Sequence, residues 1–179
     1  MLEEATPLRR FDNLVRADGW TSLFPALEEL CQTCIGHRLF SCSVFRMDGP
    51  ESGVAARVYT NDPEHYPASG LKDIVPNRWT EHVILRQQTF VANSVDGFAD
   101  VFPDHAYIAS LGLGSVVNLP LIIRGDFIGT VNMLHEAGYY TEARLGPLDR
   151  IVLPALLTFE VSPETTGLEG PAAHRAAAN

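Results

Sequence analysis

The chain has 179 residues, a hydrophobic fraction of 46% and a charged fraction of 20%, proportions that suit one soluble globular domain. Its formal net charge of −9 argues against a nucleic-acid surface, which needs clustered Lys and Arg. Charges interrupt the N-terminal stretch, so it does not resemble a signal peptide, and no apolar run reaches the roughly 18 residues of a membrane helix. We therefore expect a cytoplasmic protein with neither a nucleic-acid nor a membrane partner.

The first part of the chain predicts two helices followed by two strands. Residues 1–17 form a short helix, which we assign to an N-terminal helical segment covering 1–19. A second helix is expected to begin near residue 21 and to end at Gly36. Strand patterns follow at 39–46 and 54–59, separated by an Asp-Gly-Pro turn. The apolar stripe of the first helix consists of Leu8, Phe11, Leu14 and Val15.

The middle of the chain alternates loops with short elements. A proline-rich segment at 61–76 reads as a structured loop, and a helix is expected at 79–88. An edge strand at 89–92 and a loop at 93–103 lead to another helix at 104–111.

The clearest pattern is a β-hairpin made of strands 115–123 and 127–134. An Arg-Gly-Asp tripeptide lies in its turn, and we interpret it as a turn rather than an adhesion motif. A three-residue loop would place Asn118 opposite Asn132 on one face of the sheet. A two-residue turn would shift that register by one residue.

The chain ends in a predicted helix at 141–159, which Pro147 and Pro154 should kink or divide. The following residues are rich in Ala, Gly and Thr and have little apolar surface to bury. We therefore expect a folded domain at 20–160 and a flexible tail at 161–179.

Cys31 and Cys34 form a C-x-x-C pair, and Cys42 is the third cysteine. A zinc site needs further ligands, and His37 alone does not complete one. A thioredoxin-like motif would lie at the start of a helix, whereas this pair lies late in one. We interpret the cysteines as small core residues, so no metal site is expected.

The order of elements predicts an α+β fold, an antiparallel sheet with helices packed on it. The sequence GSVVNLPL at 114–121, followed by Gly125 and IGTVN at 128–132, resembles the terminal hairpin of GAF domains. The resemblance extends over roughly residues 20–160. It implies a six-stranded antiparallel sheet, a small-molecule pocket on one face and a homodimer formed through terminal helices.

The specialised members of the GAF family differ from this chain in the residues that define them. Bilin carriers use a cysteine late in the domain, and none follows Cys42 here. Free methionine sulfoxide reductases carry reactive cysteines in pocket-side loops, whereas the cysteines of this chain lie on the first helix and the first strand. Members that bind cyclic nucleotides carry a signature whose Asp-Glu pair is missing here. The chain has six histidines, but no spacing singles out a haem ligand. The cofactor, if one is used, is therefore unknown from the sequence.

Candidate ligand-binding residues come from three places. The hairpin interrupts its apolar strands with polar residues, and burying an unpartnered amide costs about 1–3 kcal/mol, so they either meet a ligand or are satisfied by neighbours. The loop before the middle helix adds aromatic and polar groups, and the helix at 104–111 begins with an Asp-His pair, whose aspartate also suits an N-cap. His135 precedes Glu136, although adjacent strand residues point to opposite faces. The resulting set is Tyr59, Asn61, Tyr66, Lys72, Trp79, Asp104, His105, Asn118, Thr130, Asn132 and His135.

Two functions remain open from the sequence. The first is a small-molecule sensor or accessory domain that acts through dimerisation or on a separate output protein. The second is a small enzyme that uses the same pocket, with His135, Asp104 or His105 and Cys42 as its reactive groups. No G-x-S-x-G, P-loop, H-E-x-x-H or dinucleotide motif supports the second function.

Overall fold

A computed structural model describes residues 6–17, 19 and 21–166 of the chain. Its centre is a six-stranded antiparallel sheet with helices packed on it, which confirms the predicted α+β fold. None of the helices in this part of the chain is long and apolar enough to cross a membrane.

The helices and strands follow one another in an order close to the predicted one. The helices are α1 (Pro7–Arg16), α2 (Phe24–Cys34), α3 (Arg78–Thr80), α4 (His105–Ser110), α5 (Glu142–Leu145), α6 (Asp149–Val161) and α7 (Pro163–Thr166). The strands are β1 (Leu39–Met47), β2 (Gly53–Thr60), β3 (Lys72–Asp73), β4 (Phe90–Ala92), β5 (Ser115–Ile123) and β6 (Asp126–His135). Helix α3 continues as a π-helical turn at Glu81–Leu85, and short 3-10 turns lie at Val95–Gly97 and Gly146–Leu148.

The strands lie in the order β3-β2-β1-β6-β5-β4. The sequence pattern did not predict strand β3, because this strand has only two residues and lies within the proline-rich segment. It forms by pairing Lys72 with Ala55 and Asp73 with Val54. Pairing with a neighbour, rather than local alternation, therefore defines this strand.

The hairpin between β5 and β6 turns at Arg124 and Gly125, both with positive φ, 55° and 89°. Such a two-residue turn matches the twist of the paired strands. A shift in pairing between Leu121 and Ile122 then adds one residue, so Asn118 lies opposite Asn132 after all. The expectation that a two-residue turn separates these asparagines was wrong, because the irregularity restores the register.

One face of the sheet carries the main apolar core. Phe40, Cys42, Val131 and Met133 point to this face and are essentially inaccessible to solvent. Helices α1, α2 and α6 cover it, with Phe24 of α2 stacked edge to face on Phe159 at 5.5 Å between ring centres. Burial of each such side chain contributes about 1.5–3 kcal/mol. Cys31 of α2 and Cys42 of β1 both belong to this core, as predicted for the cysteines.

The last part of the described chain differs from prediction at its boundaries. The helix expected at 141–159 is divided near Pro147 into α5, a 3-10 turn and α6, whereas Pro154 lies inside α6. The predicted tail at 161–179 begins with ordered residues, since Ser162 is buried and accepts a hydrogen bond from the Leu23 amide at 3.3 Å. Residues 167–179 of that tail lie outside the described residues, as do residues 1–5, 18 and 20 of the N-terminal part.

Candidate functional site

The second face of the sheet holds a cavity of about 210 Å³. Its floor is formed by polar side chains of β1, β5 and β6, which we call the polar floor: Ser41, Ser43, Asn118, Thr130 and Asn132. Its aromatic walls are formed by Phe45, Tyr66, Trp79 and Phe102. Arg57, Tyr66 and Asp104, which we call the charged rim, line another part of it. The cavity therefore combines apolar walls with a few converging polar groups, as ligand sites do.

Strand register explains why the polar floor is continuous. Asn118 pairs with Asn132, and Asn132 pairs on its other side with Ser41. Ser43 pairs in the same way with Thr130. Directly paired residues project to the same face, so these rows bring the polar side chains of separate strands together.

A chain of hydrogen bonds runs along the polar floor. The Trp79 indole N–H donates to Asn118 Oδ1 at 2.8 Å, and Asn118 Nδ2 donates to Asn132 Oδ1 at 2.7 Å. Asn132 Nδ2 then reaches the hydroxyl oxygens of Ser41 and Ser43 at 3.4 Å each. The two asparagines are thus tied to each other and retain unused amide capacity at the cavity surface.

Trp79 is held in place from the backbone side as well. Asn77 caps the short helix α3, and its Oδ1 accepts from the Trp79 amide at 2.8 Å and the Thr80 amide at 3.1 Å. The indole stacks near Phe45, with 6.1 Å between ring centres. The helix start therefore fixes the indole over the polar floor.

The charged rim is organised around Tyr66. The Arg57 guanidinium lies 5.0 Å above the centre of the Tyr66 ring, and the Tyr66 hydroxyl donates to Asp104 Oδ2 at 3.0 Å. Burial lowers the pKa of Arg57, against the opposing influence of Tyr66 and Asp104. Burial, followed by the charge of Asp104, raises the pKa of Tyr66, so this phenol stays protonated at neutral pH.

Two predicted site residues of the segment after β1 lie away from the cavity. Tyr59 points to the helical face, where its ring stacks on Phe24 at 5.4 Å and its hydroxyl donates to Glu28 Oε2 at 2.5 Å. Asn61 accepts from the Phe40 amide at 2.7 Å and donates to the Arg38 carbonyl at 3.1 Å. Both side chains hold the end of β2 against its neighbours rather than facing the cavity.

Three further predicted residues are also placed elsewhere. Lys72 is exposed on the edge strand β3, and His105 contacts the Phe102 carbonyl through Nδ1 at 2.9 Å. His135 stacks on Tyr139 with 3.4 Å between ring centres, and burial, with the charge of Arg38, lowers its pKa. The side chains of His135 and Glu136 do not pair, because the Glu136 carboxylate forms an ion pair with Arg38.

Six of the predicted residues line the cavity: Tyr66, Trp79, Asp104, Asn118, Thr130 and Asn132. Sequence reasoning missed Ser41 and Ser43, although their alternation with Phe40 and Cys42 already placed them on one side of β1. It also missed Arg57, which reaches the cavity because the β1–β2 pairing shifts between Cys42 and Ser43. No local sequence pattern indicates that shift in pairing.

The cysteines and histidines of the described chain lie away from the cavity. Cys31 and Cys42 belong to the core on the opposite face, and burial raises the pKa of each thiol. No His or Cys of the described chain lines the cavity. Within the same residues, no three His, Cys, Asp or Glu side chains come together as a metal site requires.

No protein-family model matches the chain, and no curated protein matches its sequence. Solved structures do match. The GAF domain of a phosphoenolpyruvate-protein phosphotransferase from Coxiella burnetii is 14% identical, with 86% of this chain and 90% of that chain covered and a TM-score of 0.59. The phycoerythrobilin-bound GAF domain of a cyanobacterial phytochrome is 13% identical, with 86% and 94% covered and a TM-score of 0.59.

An enzyme is among the similar structures as well. Free methionine-R-sulfoxide reductase from Neisseria meningitidis, in complex with its substrate, is 13% identical, with 89% of this chain and 88% of that chain covered and a TM-score of 0.54. At such identities the likeness concerns the fold alone. Together with the antiparallel sheet and its terminal hairpin, it shows that this chain has a GAF-like fold.

Proposed function

We propose that this chain is a small-molecule sensor or accessory domain whose ligand occupies the cavity above the polar floor. The observation that carries the proposal is the polar floor itself. Amides and hydroxyls of three different strands converge under aromatic walls, at positions where a strand normally buries apolar side chains.

The energetics of the polar floor favour a bound partner. Asn118 is 4% exposed and Thr130 is 1% exposed, so these groups are removed from bulk water. The Thr130 hydroxyl forms no side-chain hydrogen bond within the described residues, and Thr130 lines the cavity. A ligand with its own donors and acceptors would satisfy that hydroxyl and the remaining amide positions.

The size of the cavity limits the ligand. Pockets for drug-sized molecules have volumes of about 300–1,000 Å³. The cavity of about 210 Å³ is smaller, so a compact metabolite fits it better than a nucleotide or a tetrapyrrole. The bilin-bound phytochrome domain and the substrate-bound reductase are proteins of this fold that hold small molecules, which supports a binding role here.

We assign the cavity to binding rather than catalysis, because the thiols lie on the other face and His105 and His135 lie outside the cavity lining. The enzyme hypothesis named these histidines and Cys42 as reactive groups. Asp104 is the one member of that set that reaches the cavity, and no imidazole or thiol of the described chain lines the cavity beside it.

A second copy of the chain would supply the output contact. Leu8 and Leu14 of α1 and Leu153 and Leu157 of α6 are exposed, Leu153 at 76%. Leu8, Leu153 and Leu157 border a groove of about 610 Å³. A dimer formed through α1 and α6 would bury this apolar surface. Ligand binding on one face of the sheet would then be transmitted to helices on the other face, or to a separate output protein.

Native mass spectrometry of the purified protein tests the binding role. We expect each chain of 19.6 kDa to carry the additional mass of one small molecule. Ser43→Leu places an apolar side chain in the cavity and should abolish the added mass. Ser110→Leu, the matched control on exposed α4, should retain it.

Two outcomes would contradict the proposal. One is an added mass that persists in Ser43→Leu, since the molecule would then lie elsewhere. The other is a wild-type mass with nothing added to the protein chains, combined with no thermal stabilisation by any compound of a metabolite library.

A further inference from the structure

The charged rim carries one cation and one anion on two sides of a single aromatic ring. The guanidinium of Arg57 lies over the face of Tyr66, whereas the carboxylate of Asp104 lies at the hydroxyl of the same ring. Both charged side chains line the cavity. Tyr66 therefore separates the two charges while keeping them close enough to contact one compact ligand.

Arg57 has unused hydrogen-bonding capacity. It donates through Nη1 to the Pro67 carbonyl at 3.0 Å, and its Nε is buried without a hydrogen-bond partner. No carboxylate within the described part of the chain forms an ion pair with it. A half-buried guanidinium with five donors and one bond lacks the planar anion that its geometry suits.

Asp104 has unused capacity of the opposite kind. An ionised carboxylate can accept about four hydrogen bonds, and the one side-chain donor to Asp104 in the described chain is the Tyr66 hydroxyl. Asp104 is solvent-exposed, so it lies where the cavity meets water. A ligand ammonium at this position would receive a charge-assisted hydrogen bond.

The balance of these charges excludes some ligand classes. A phosphate or a dicarboxylate would neutralise Arg57 but would be repelled by Asp104 beside it. A simple amine would pair with Asp104 but would be repelled by Arg57. A molecule that carries a carboxylate and an ammonium on the same carbon atom satisfies both groups at once.

We propose that the ligand of this cavity is a free α-amino acid, with its carboxylate on Arg57 and its ammonium on Asp104. This inference rests on the proposed sensor function and specifies the ligand class. The side chain of the amino acid would extend over the polar floor towards the stacked rings of Trp79 and Phe45, where the small cavity volume selects a side chain of moderate size.

Calorimetry and thermal shift with each proteinogenic L-amino acid test the inference. We expect at least one to bind the wild-type protein. Its N-acetyl derivative, which lacks the ammonium, and its carboxamide, which lacks the carboxylate, should each bind at least tenfold more weakly. This analogue series uses the wild-type chain, so its result does not depend on whether a variant folds.

Charge-removing variants locate the two contacts. Arg57→Gln and Asp104→Asn should each weaken binding of the same amino acid at least tenfold. Lys72→Gln and Asp73→Asn remove the same charges from the exposed edge strand β3 and should leave affinity unchanged.

Equal binding of the N-acetyl derivative would overturn the inference in favour of a simple carboxylate. Binding of no amino acid would overturn it too. If native mass spectrometry nevertheless finds another small molecule that Ser43→Leu displaces, the sensor function stands and the amino-acid class fails. If it finds none, and no compound of the metabolite library stabilises the protein, both fail.

Discussion

Replacement of Asn132 by leucine tests whether the polar floor is held together from within. Asn132 Oδ1 accepts from Asn118 Nδ2 at 2.7 Å, whereas its contacts with Ser41 and Ser43 are longer, at 3.4 Å. From the sequence alone, leucine is expected to preserve or raise stability, because it suits a buried strand face. The structure reverses that expectation, because leucine leaves the buried Asn118 amide without its acceptor.

The size of the effect follows from that one bond. A buried donor left unpaired costs about 1–3 kcal/mol. Part of this cost is offset because the half-buried leucine gains apolar burial and because water in the cavity can reach Asn118. We therefore expect Asn132→Leu to lower the unfolding free energy by about 1–2 kcal/mol, and to weaken ligand binding several-fold.

Urea denaturation of a double-mutant cycle measures this coupling. Asn118→Leu and Asn132→Leu should each destabilise the protein, and the double variant should be less destabilised than the sum of the two, by about 0.5–1.5 kcal/mol. The m value should stay constant, since the sheet remains intact. Additive effects, or a more stable Asn132→Leu variant, would refute the inferred bond between the two amides.

Three other predictions concern the fold and its surface. Gly129→Ala should destabilise by about 1–3 kcal/mol in denaturant melts, because its Cβ would lie 2.4 Å from a ring carbon of Phe159, whereas Gly146→Ala meets open space and should be neutral. Burial lowers the pKa of His37 below 6.5, so the unfolded state binds more protons and the unfolding free energy should fall as pH drops below about 6.5; a decline of equal slope in His37→Gln would contradict this. Light scattering should give about twice the 19.6 kDa chain mass, and Leu153→Asp but not Val75→Asp should return it to a monomer; a monomeric wild type would exclude the dimer.

The hairpin shows what the sequence can predict. Alternation and turn residues identified both strands and placed Asn118 and Asn132 in one hairpin, because those signals are local. The pairing of the two asparagines depended on turn length and on an irregularity between Leu121 and Ile122 that leaves no local pattern. The correct pairing therefore required the three-dimensional register.

The cavity residues likewise divide into those that a local pattern identifies and those that only strand pairing places in the cavity. Trp79 and Tyr66 stood out as large aromatic groups beside polar ones, and both line the cavity. Tyr59 has the same chemistry but points to the helical face. Arg57 reaches the cavity although nothing in its neighbourhood marks it, because the shift in β1–β2 pairing decides which β2 side chains share a face with Ser43.

The central claim is that a small molecule binds above the polar floor, and a crystal structure of the protein as purified tests it most directly. Difference density should show one compact molecule between Trp79 and Tyr66, within hydrogen-bond distance of the Asn118 and Asn132 amides. Density for ordered water alone in the cavity, from a preparation whose native mass shows a bound molecule, would contradict the account.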